Sequence, residues 1–449
     1  MVMSQANVVA LAKDVLIPGW QQEKQRLDAA DNWGRWNPDK VTIPAHSAPE
    51  HRDLRDLSET PWLMLVVTTI NQQLVAELVR SSQSEDVQPI WTPWLRNRMP
   101  SRQRAIHRAA LTYGYSYSTV LPGEVNGEDA AVIRGHSPRD LYAVYNDAVV
   151  DEYPEYFLEV HGNRFEVVDD EARYTLVMQD GKLQFVTFDA HDVGVAPAVR
   201  YSNLIDVEGR TPGEVEPFIP LAKRINKTSY DRLLTQHFNS WKIRYATGLD
   251  MPESQEERDR VKMLLRQQDI LTGEEGVTFG TLDETPLDGF IAAWKSDIEA
   301  LAAVSQTPTH ALTGEMINLS ADAIEEARSM LDLKANERKI GFGDSHAQTL
   351  RLASHVEGRE QDASDFTLTI QWADLGSRSL SQAADALGKL STQLGIPPEK
   401  LWDRIPSVTA EEAASWLEYR QQHPSSEQLL ADALRGQANG TDSAGATAN

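Results

Sequence analysis

Cysteine is absent from the 449 residues. Disulfides, iron–sulfur clusters and thiolate zinc sites are therefore excluded, and the chain suits a reducing compartment. Long apolar runs are absent as well. The best of them, Trp62 to Ile70, falls far short of the roughly 18 to 20 residues that cross a bilayer. Met1 to Ala12 is only mildly apolar and is cut off by Lys13 and Asp14, so no secretory core is expected there. The chain is expected to stay where it is made, away from membranes.

Positive charge is scarce. Lys and Arg number 43 against 67 Asp and Glu, for a net charge of −24. Broad counterion-releasing attachment to nucleic acid needs many basic residues. Any contact with DNA must therefore be local, or of a kind that does not grip. The same acidity also serves solubility.

Catalytic motifs are missing too. There is no Gly-x-x-x-x-Gly-Lys-Ser/Thr loop to cradle phosphates, no Gly-x-Ser-x-Gly elbow and no His-Glu-x-x-His. The eleven histidines are scattered. His46 with His51 and His346 with His355 are the closest pairs, and neither has the i,i+4 ligand offset. Asp169-Asp170-Glu171 reads as a turn rather than a metal site. No catalytic residue, metal or cofactor is expected.

What is present is an ordered series of elements. Val8, Leu11, Val15, Trp20 and Leu27 give a patchy helical stripe in an N-terminal arm. The stretch from Asn32 to Pro49 reads as loop, and the apolar segment from Pro61 to Val79 reads as helix. Arg96 to Tyr113 reads as a basic amphipathic helix whose arginines face solvent. From Ala130 to Asn203 the period falls to two, and Asp180-Gly181 marks a hairpin. Tyr230, Leu233, Leu234, Phe238, Trp241 and Tyr245 then share one face of a helix spanning Pro217 to Thr247, stopped at Gly248. Six basic residues lie there (Lys223, Arg224, Lys227, Arg232, Lys242, Arg244) beside the single acid Asp231. Leu249 to Thr285 inverts the balance, with ten acids and four bases. It is expected to hold a helix at Glu256 to Gln268 and a strand near Val277 to Leu282. A helix follows from Leu287 to about Val304, then a loop to Asn318. A long helix runs from Ser320 to His355, with a kink expected at Gly341 and Gly343. Phe366 to Trp372 alternates as a strand, and Leu380 to Leu434 is helical with breaks at Gly395 to Pro398 and at Pro406. Gly436 to Asn449 has the composition of a disordered tail.

Particular strings accompany that order. They are Glu214 to Leu221, Tyr230-Asp231-Arg232-Leu233, Trp241 to Gly248, Ser305-Gln306-Thr307-Pro308, Leu319 to Ile324, Arg378-Ser379 and Leu401 to Pro406. With them the chain resembles the portal proteins of tailed bacteriophages, in particular the siphophage subgroup common among phages of actinobacteria. The strings cover about half the chain, and the order of elements is similar over nearly all of it.

The resemblance implies an α+β fold, predominantly helical, with wing, stem, clip and crown regions. Residues 1–216 would form the N-terminal arm and β-containing wing. Residues 217–248 and 287–306 would be the two stem helices, 249–286 the clip, and 307–319 the tunnel loop. Residues 320–376 would supply a wing helix and strand, 377–435 the crown, and 436–449 the tail. The implied DNA-channel residues are Thr309, His310, Thr313, Glu315, Met316 and Asn318. The implied stem belt is Lys223, Arg224, Lys227, Arg232, Lys242 and Arg244. The implied docking acids of the clip are Glu256, Glu257, Asp259, Asp269, Glu274 and Glu275. Implied partners are further copies in a dodecameric ring, double-stranded DNA, the terminase large subunit, a head-completion adaptor, and the major capsid and scaffold proteins. The implied place is the virion's portal vertex, after assembly in the host cytoplasm. Two other classes stay open: another capsid-associated protein such as an adaptor or scaffold, and an enzyme with a non-contiguous site.

Overall fold

The protein, seen in a computed structural model, is described over residues 2–35, 37–84, 86–240, 244–247, 254, 278–281, 284–314, 321–373, 380–405, 408 and 410–423. It is an α+β chain in which helix predominates. It divides into two compact units. One comprises Met1–Gln25, Ile70–Pro212 and Ala335–Asn449, the other Arg26–Thr69 and Gly213–Lys334.

In the first unit, helix α1 (Gln5–Leu11) starts at Ser4, whose hydroxyl accepts the Asn7 N–H, as an N-cap should. A π-turn at Ala12–Leu16 then leads into α2 (Ile17–Gly34). Its i→i+5 bonding widens the turn, so Val8, Ala12 and Leu16 carry the buried face. The expected stripe through Leu11 and Val15 is displaced by that extra residue: Leu11 is half-buried and Val15 is exposed.

The expected helix from Pro61 to Val79 is cut short. Helix α4 (Trp62–Asn71) follows α3 (Pro49–Leu57), and the chain then becomes strand β1 (Ala76–Arg80). The partner of β1 is β12 (Thr369–Trp372), nearly 300 residues later in the chain, and no local pattern encodes it. The Gln103 side chain holds the strand's entry, accepting from Ala76 N at 2.8 Å and donating to Ala76 O at 3.1 Å. The expected strand from Phe366 shrinks to β12, because Asp365 and Thr367 form a hydrogen-bonded turn and leave Phe366 exposed.

Helices α5 (Gln88–Arg96) and α6 (Met99–Tyr113) replace the single basic helix read from Arg96. Arg98 between them has φ 55°. Ile106, Ala110 and Leu111 are buried, whereas Arg98, Arg102, Arg104 and Arg108 are exposed. That is the expected solvated arginine face.

The β-rich region forms two antiparallel sheets. β2 (Tyr115–Val125) lies between β3 (Glu128–His136) and β9 (Ala198–Ser202). A five-stranded meander runs in sequence order through β4 (Leu141–Val144), β5 (Tyr156–His161), β6 (Arg164–Val168), β7 (Ala172–Gln179) and β8 (Lys182–Ala190). The β7–β8 hairpin turns at Asp180 and Gly181 with φ of 50° and 72°, the paired positive values of a two-residue hairpin. Asp169 builds the expected turn before β7: its carboxylate accepts Glu171 N, Ala172 N and the Tyr174 hydroxyl. One face of the meander packs Leu158, Phe165, Val167, Tyr174 and Leu176 on Val8, Ala12 and Leu16. The other packs Phe157 and Val168 with Tyr115, Tyr117 and Ala198.

Later elements are α7 (Ile219–Asn239), β10 (Arg244–Thr247), β11 (Thr278–Thr281), α8 (Asp288–Ser305), α9 (Thr309–Thr313), α10 (Ala321–Val356), α11 (Glu360–Ala363), α12 (Leu380–Leu394) and α13 (Ala410–Gln422). α10 is continuous over 36 residues. Gly341 and Gly343, where a kink is expected, lie within this unbroken run, and a side chain there would meet its neighbours at ordinary contact distance. Cβ atoms there would lie 3.8 Å from Ser202 O and 3.6 Å from Trp372 Nε1.

Two histidines far apart in sequence meet at the centre of the first unit. His107 Nδ1 lies 3.2 Å from Leu74 O, which only accepts, so Nδ1 carries the proton and Nε2 is an acceptor. His346 Nε2, 2.7 Å away, must then donate, and His346 Nδ1 accepts from the Tyr201 hydroxyl at 2.9 Å. Thr349 and Ser118 extend the chain of hydroxyls. Phe342 stacks on His107 and Trp94 meets His346 edge-on. Burial without a compensating anion pushes His107 down to about 3 and His346 well below its ordinary value. Both rings are neutral and serve packing.

Candidate functional site: two paired helices and a ribbon

The second unit holds the charged elements singled out in the sequence. Proline suits the first turn of a helix. α7 accordingly opens after a 3₁₀ turn at Glu216–Phe218, with Pro220 in its first turn. Its buried face is Ile219, Ala222, Ile225, Asn226, Ser229 and Tyr230, the i, i+3, i+4, i+7 spacing of one helical side. α7 packs against α8, whose buried residues are Ile298, Leu301, Ala302 and Ser305.

The helix expected to run to Thr247 stops at Asn239. The Asn239 side chain donates to Thr285 O at 2.8 Å and accepts from Thr285 N at 3.3 Å. It thereby fastens the end of α7 to the approach to α8. Arg244 and Tyr245 belong not to the helix but to β10, which pairs antiparallel with β11, Arg244 opposite Thr281 and Thr247 opposite Thr278. That pairing is non-local, so a helical period running on through Tyr245 gives no sign of it. The strand expected near Val277 to Leu282 is β11. In chain order β10 follows α7 and β11 precedes α8, so the two strands form a ribbon between the two helices. The expected helix at Glu256 to Gln268 and the acids Glu256, Glu257, Asp259, Asp269, Glu274 and Glu275 lie outside the described residues, as do Gly248 and Lys242.

The basic belt is largely matched by acids. Lys223 Nζ lies 2.8 Å from Asp39, Arg224 lies 2.8 Å from Asp297 of α8, and Lys227 pairs with Asp231 one turn on. Arg232 is half-buried, and its Nε has no hydrogen-bond partner among the described residues. The structure thus brings Lys223, Arg224, Lys227 and Arg232 onto one helix and separates Arg244 from them. What looked in sequence like a free positive stripe is a set of ion pairs, because Asp39 and Asp297 come from elsewhere in the chain.

The loop expected at 307–319 begins with a helical turn. Gln306 ends α8 with φ 54°, Thr307 N returns to Ala302 O at 3.0 Å, and α9 then closes at Gly314 with φ 69°. Thr309 is exposed, His310 and Thr313 are half-buried, and Leu312 points inward. Glu315, Met316 and Asn318 lie outside the described residues.

Sequence reasoning missed the post that holds this unit together. Lys334, at the middle of α10, is buried. Its Nζ reaches Glu214 at 2.5 Å and Ser305 O at 2.9 Å. One cation therefore ties the entry of α7, the end of α8 and α10. A lysine within an otherwise charged helical run carries no signal of this.

The sequence matches the family described as "Phage portal protein, SPP1 Gp6-like" over residues 13–425. The chain belongs to the phage portal protein family. No curated protein sequence matches it. Among solved structures, a chain in "Neck of empty GTA particle computed with C6 symmetry" is similar. It is 11% identical, aligned over 80% of this chain and 91% of that one, with a TM-score of 0.43. The helix–ribbon–helix block of this portal protein, from Glu216 through Ser305, lies wholly inside the matched span. Among the described residues of the portal protein, no helix is long and apolar enough to cross a membrane.

Proposed function

We propose that the protein assembles as a homo-oligomeric ring, a dodecamer in the virion, at one vertex of the capsid, and that double-stranded DNA enters and leaves along its axis. The observation that carries this reading is the family match over residues 13–425. In this reading α7 and α8 are the stem helices and residues 249–286 the clip, where the terminase large subunit docks during packaging and a head-completion adaptor afterwards. Residues 307–319 face the channel, with Thr309, His310, Thr313, Glu315, Met316 and Asn318 nearest the DNA. The major capsid protein and scaffold meet the ring during assembly in the host cytoplasm. Its work is structural and needs no cofactor.

The electrostatics support a conduit. A channel must let DNA slide, and phosphate contacts from many free cations would brake it. Pairing Lys223, Arg224 and Lys227 with Asp39, Asp297 and Asp231 leaves little net charge on that helix. DNA binding by the purified protein, measured between 50 and 200 mM salt, is expected to be weak, with a shallow slope. A steep loss, on the order of a thousandfold or more over that range, would mean a DNA-gripping surface and would contradict the conduit.

A further inference from the structure

The chain has no cysteine for thiolate ligands and no local histidine motif. The meander supplies nitrogen and oxygen donors instead. Glu159 and Glu166 are register partners on β5 and β6, 4% and 7% exposed. Two carboxylates set directly opposite one another repel, so each needs compensation. Glu166 has it from Arg164 at 2.7 Å and Arg173 at 3.8 Å. Glu159 has neither lysine nor arginine: among the described residues its ion-pair neighbours are two imidazoles, His161 Nε2 at 2.8 Å and His136 Nδ1 at 3.4 Å.

Three of those groups form a ligand set. His161 lies two residues from Glu159 on the same strand face. The donor atoms of Glu159, His161 and Glu166 all fall within 4.8 Å of one another. His161 Nε2 and Glu159 Oε1 are hydrogen-bonded at 2.8 Å; an ion would replace that proton and set its ligands roughly 3.3 Å apart. His136 Nε2 is 2.9 Å from Thr119 Oγ1. The ring is therefore anchored by its far nitrogen, while Nδ1 turns toward Glu159 and holds that carboxylate from outside the donor group. His161 is 51% exposed at the side chain and provides the way in from solvent.

We infer that Glu159, His161 and Glu166 bind one divalent transition-metal ion of the zinc type, with water in the remaining position. The ion would join β5 to β6 within the meander. Arg164 and Arg173 would remain as ion-pair neighbours of the two Glu166 oxygens. An imidazole beside two carboxylates favours zinc over magnesium, which demands octahedral oxygen.

The test is calorimetric titration of EDTA-stripped, full-length protein with zinc chloride and, in parallel, magnesium chloride. One zinc per chain with no matching magnesium isotherm is expected. His161→Ala changes a half-exposed side chain and leaves the fold intact, and it should weaken zinc at least about tenfold. Cobalt(II) should give intense tetrahedral visible absorption in the unmodified protein, lost in His161→Ala and in Glu166→Gln. Absence of saturable zinc binding, or an affinity unchanged in His161→Ala, would overturn the site and leave these residues an ion-pair network only.

Discussion

Acidification should loosen the first unit through His107 and His346 in particular. Both rings are fully buried and neutral, His107 with its pKa down to about 3. In the unfolded chain they take up protons near pH 6.5; in the folded chain they do not. Above that pH both states are neutral and the stability is complete. Below it the unfolded state binds protons that the folded state refuses, so stability falls as the pH drops toward 3. At about 1.4 kcal/mol per unit, going from pH 6.5 to 5 costs about 2 kcal/mol for His107, and His346, lowered by the same burial, adds in the same direction. The background of other titrating groups, including His136 and His191, which burial also lowers, is removed by comparison with a variant. Urea unfolding at pH 7.5 and at pH 5 should show the unmodified protein losing at least about 2 kcal/mol more than His107→Gln/His346→Gln. Equal losses in the two proteins would refute the neutral-pair argument.

Other perturbations give separate readings. Lys334→Met leaves Glu214 buried without its cation and should cost roughly 3 to 5 kcal/mol in unfolding experiments. Lys334→Met with Glu214→Leu should recover much of that. Gly135→Ala puts a Cβ 2.5 Å from Ile106 Cγ1, an overpacking that should cost roughly 1 to 3 kcal/mol and lower the melting temperature. Arg224→Ala breaks a pair whose arginine is largely exposed, so its stability should change by less than about 1 kcal/mol. Rings should still form in that variant, and a packaging assay is where its effect should appear.

Legibility from sequence followed the range of the interactions. The β7–β8 hairpin was legible because Asp180-Gly181 carries its own turn chemistry. The solvated arginine face of α6 was legible from period alone, but the stripe expected on α7 was not: Leu233 and Leu234 are half-buried and Phe238 is exposed, whereas Ile219, Ala222 and Ile225 are buried. Elements fixed by distant partners were not. β1 depends on β12, β10 depends on β11, and a helical period ran straight through both boundaries. The π-turn at Ala12–Leu16 shifted a stripe by one residue for a similar reason, since packing on the meander chose the register. At the candidate site the basic residues were legible as a set, but their neutralisation was not, because Asp39 lies far off in sequence and Asp297 lies on the other helix. His107 with His346 and Lys334 with Glu214 were invisible for the same reason: each is a contact between residues more than 100 positions apart.

The central claim is an axial channel formed by copies of this chain. Electron microscopy of the purified protein, with mass by light scattering on the same sample, tests it most directly. Closed rings with a central opening and a mass that is a fixed multiple of the chain are predicted. A monomer that persists at every concentration, with no ring in the images, would contradict the account.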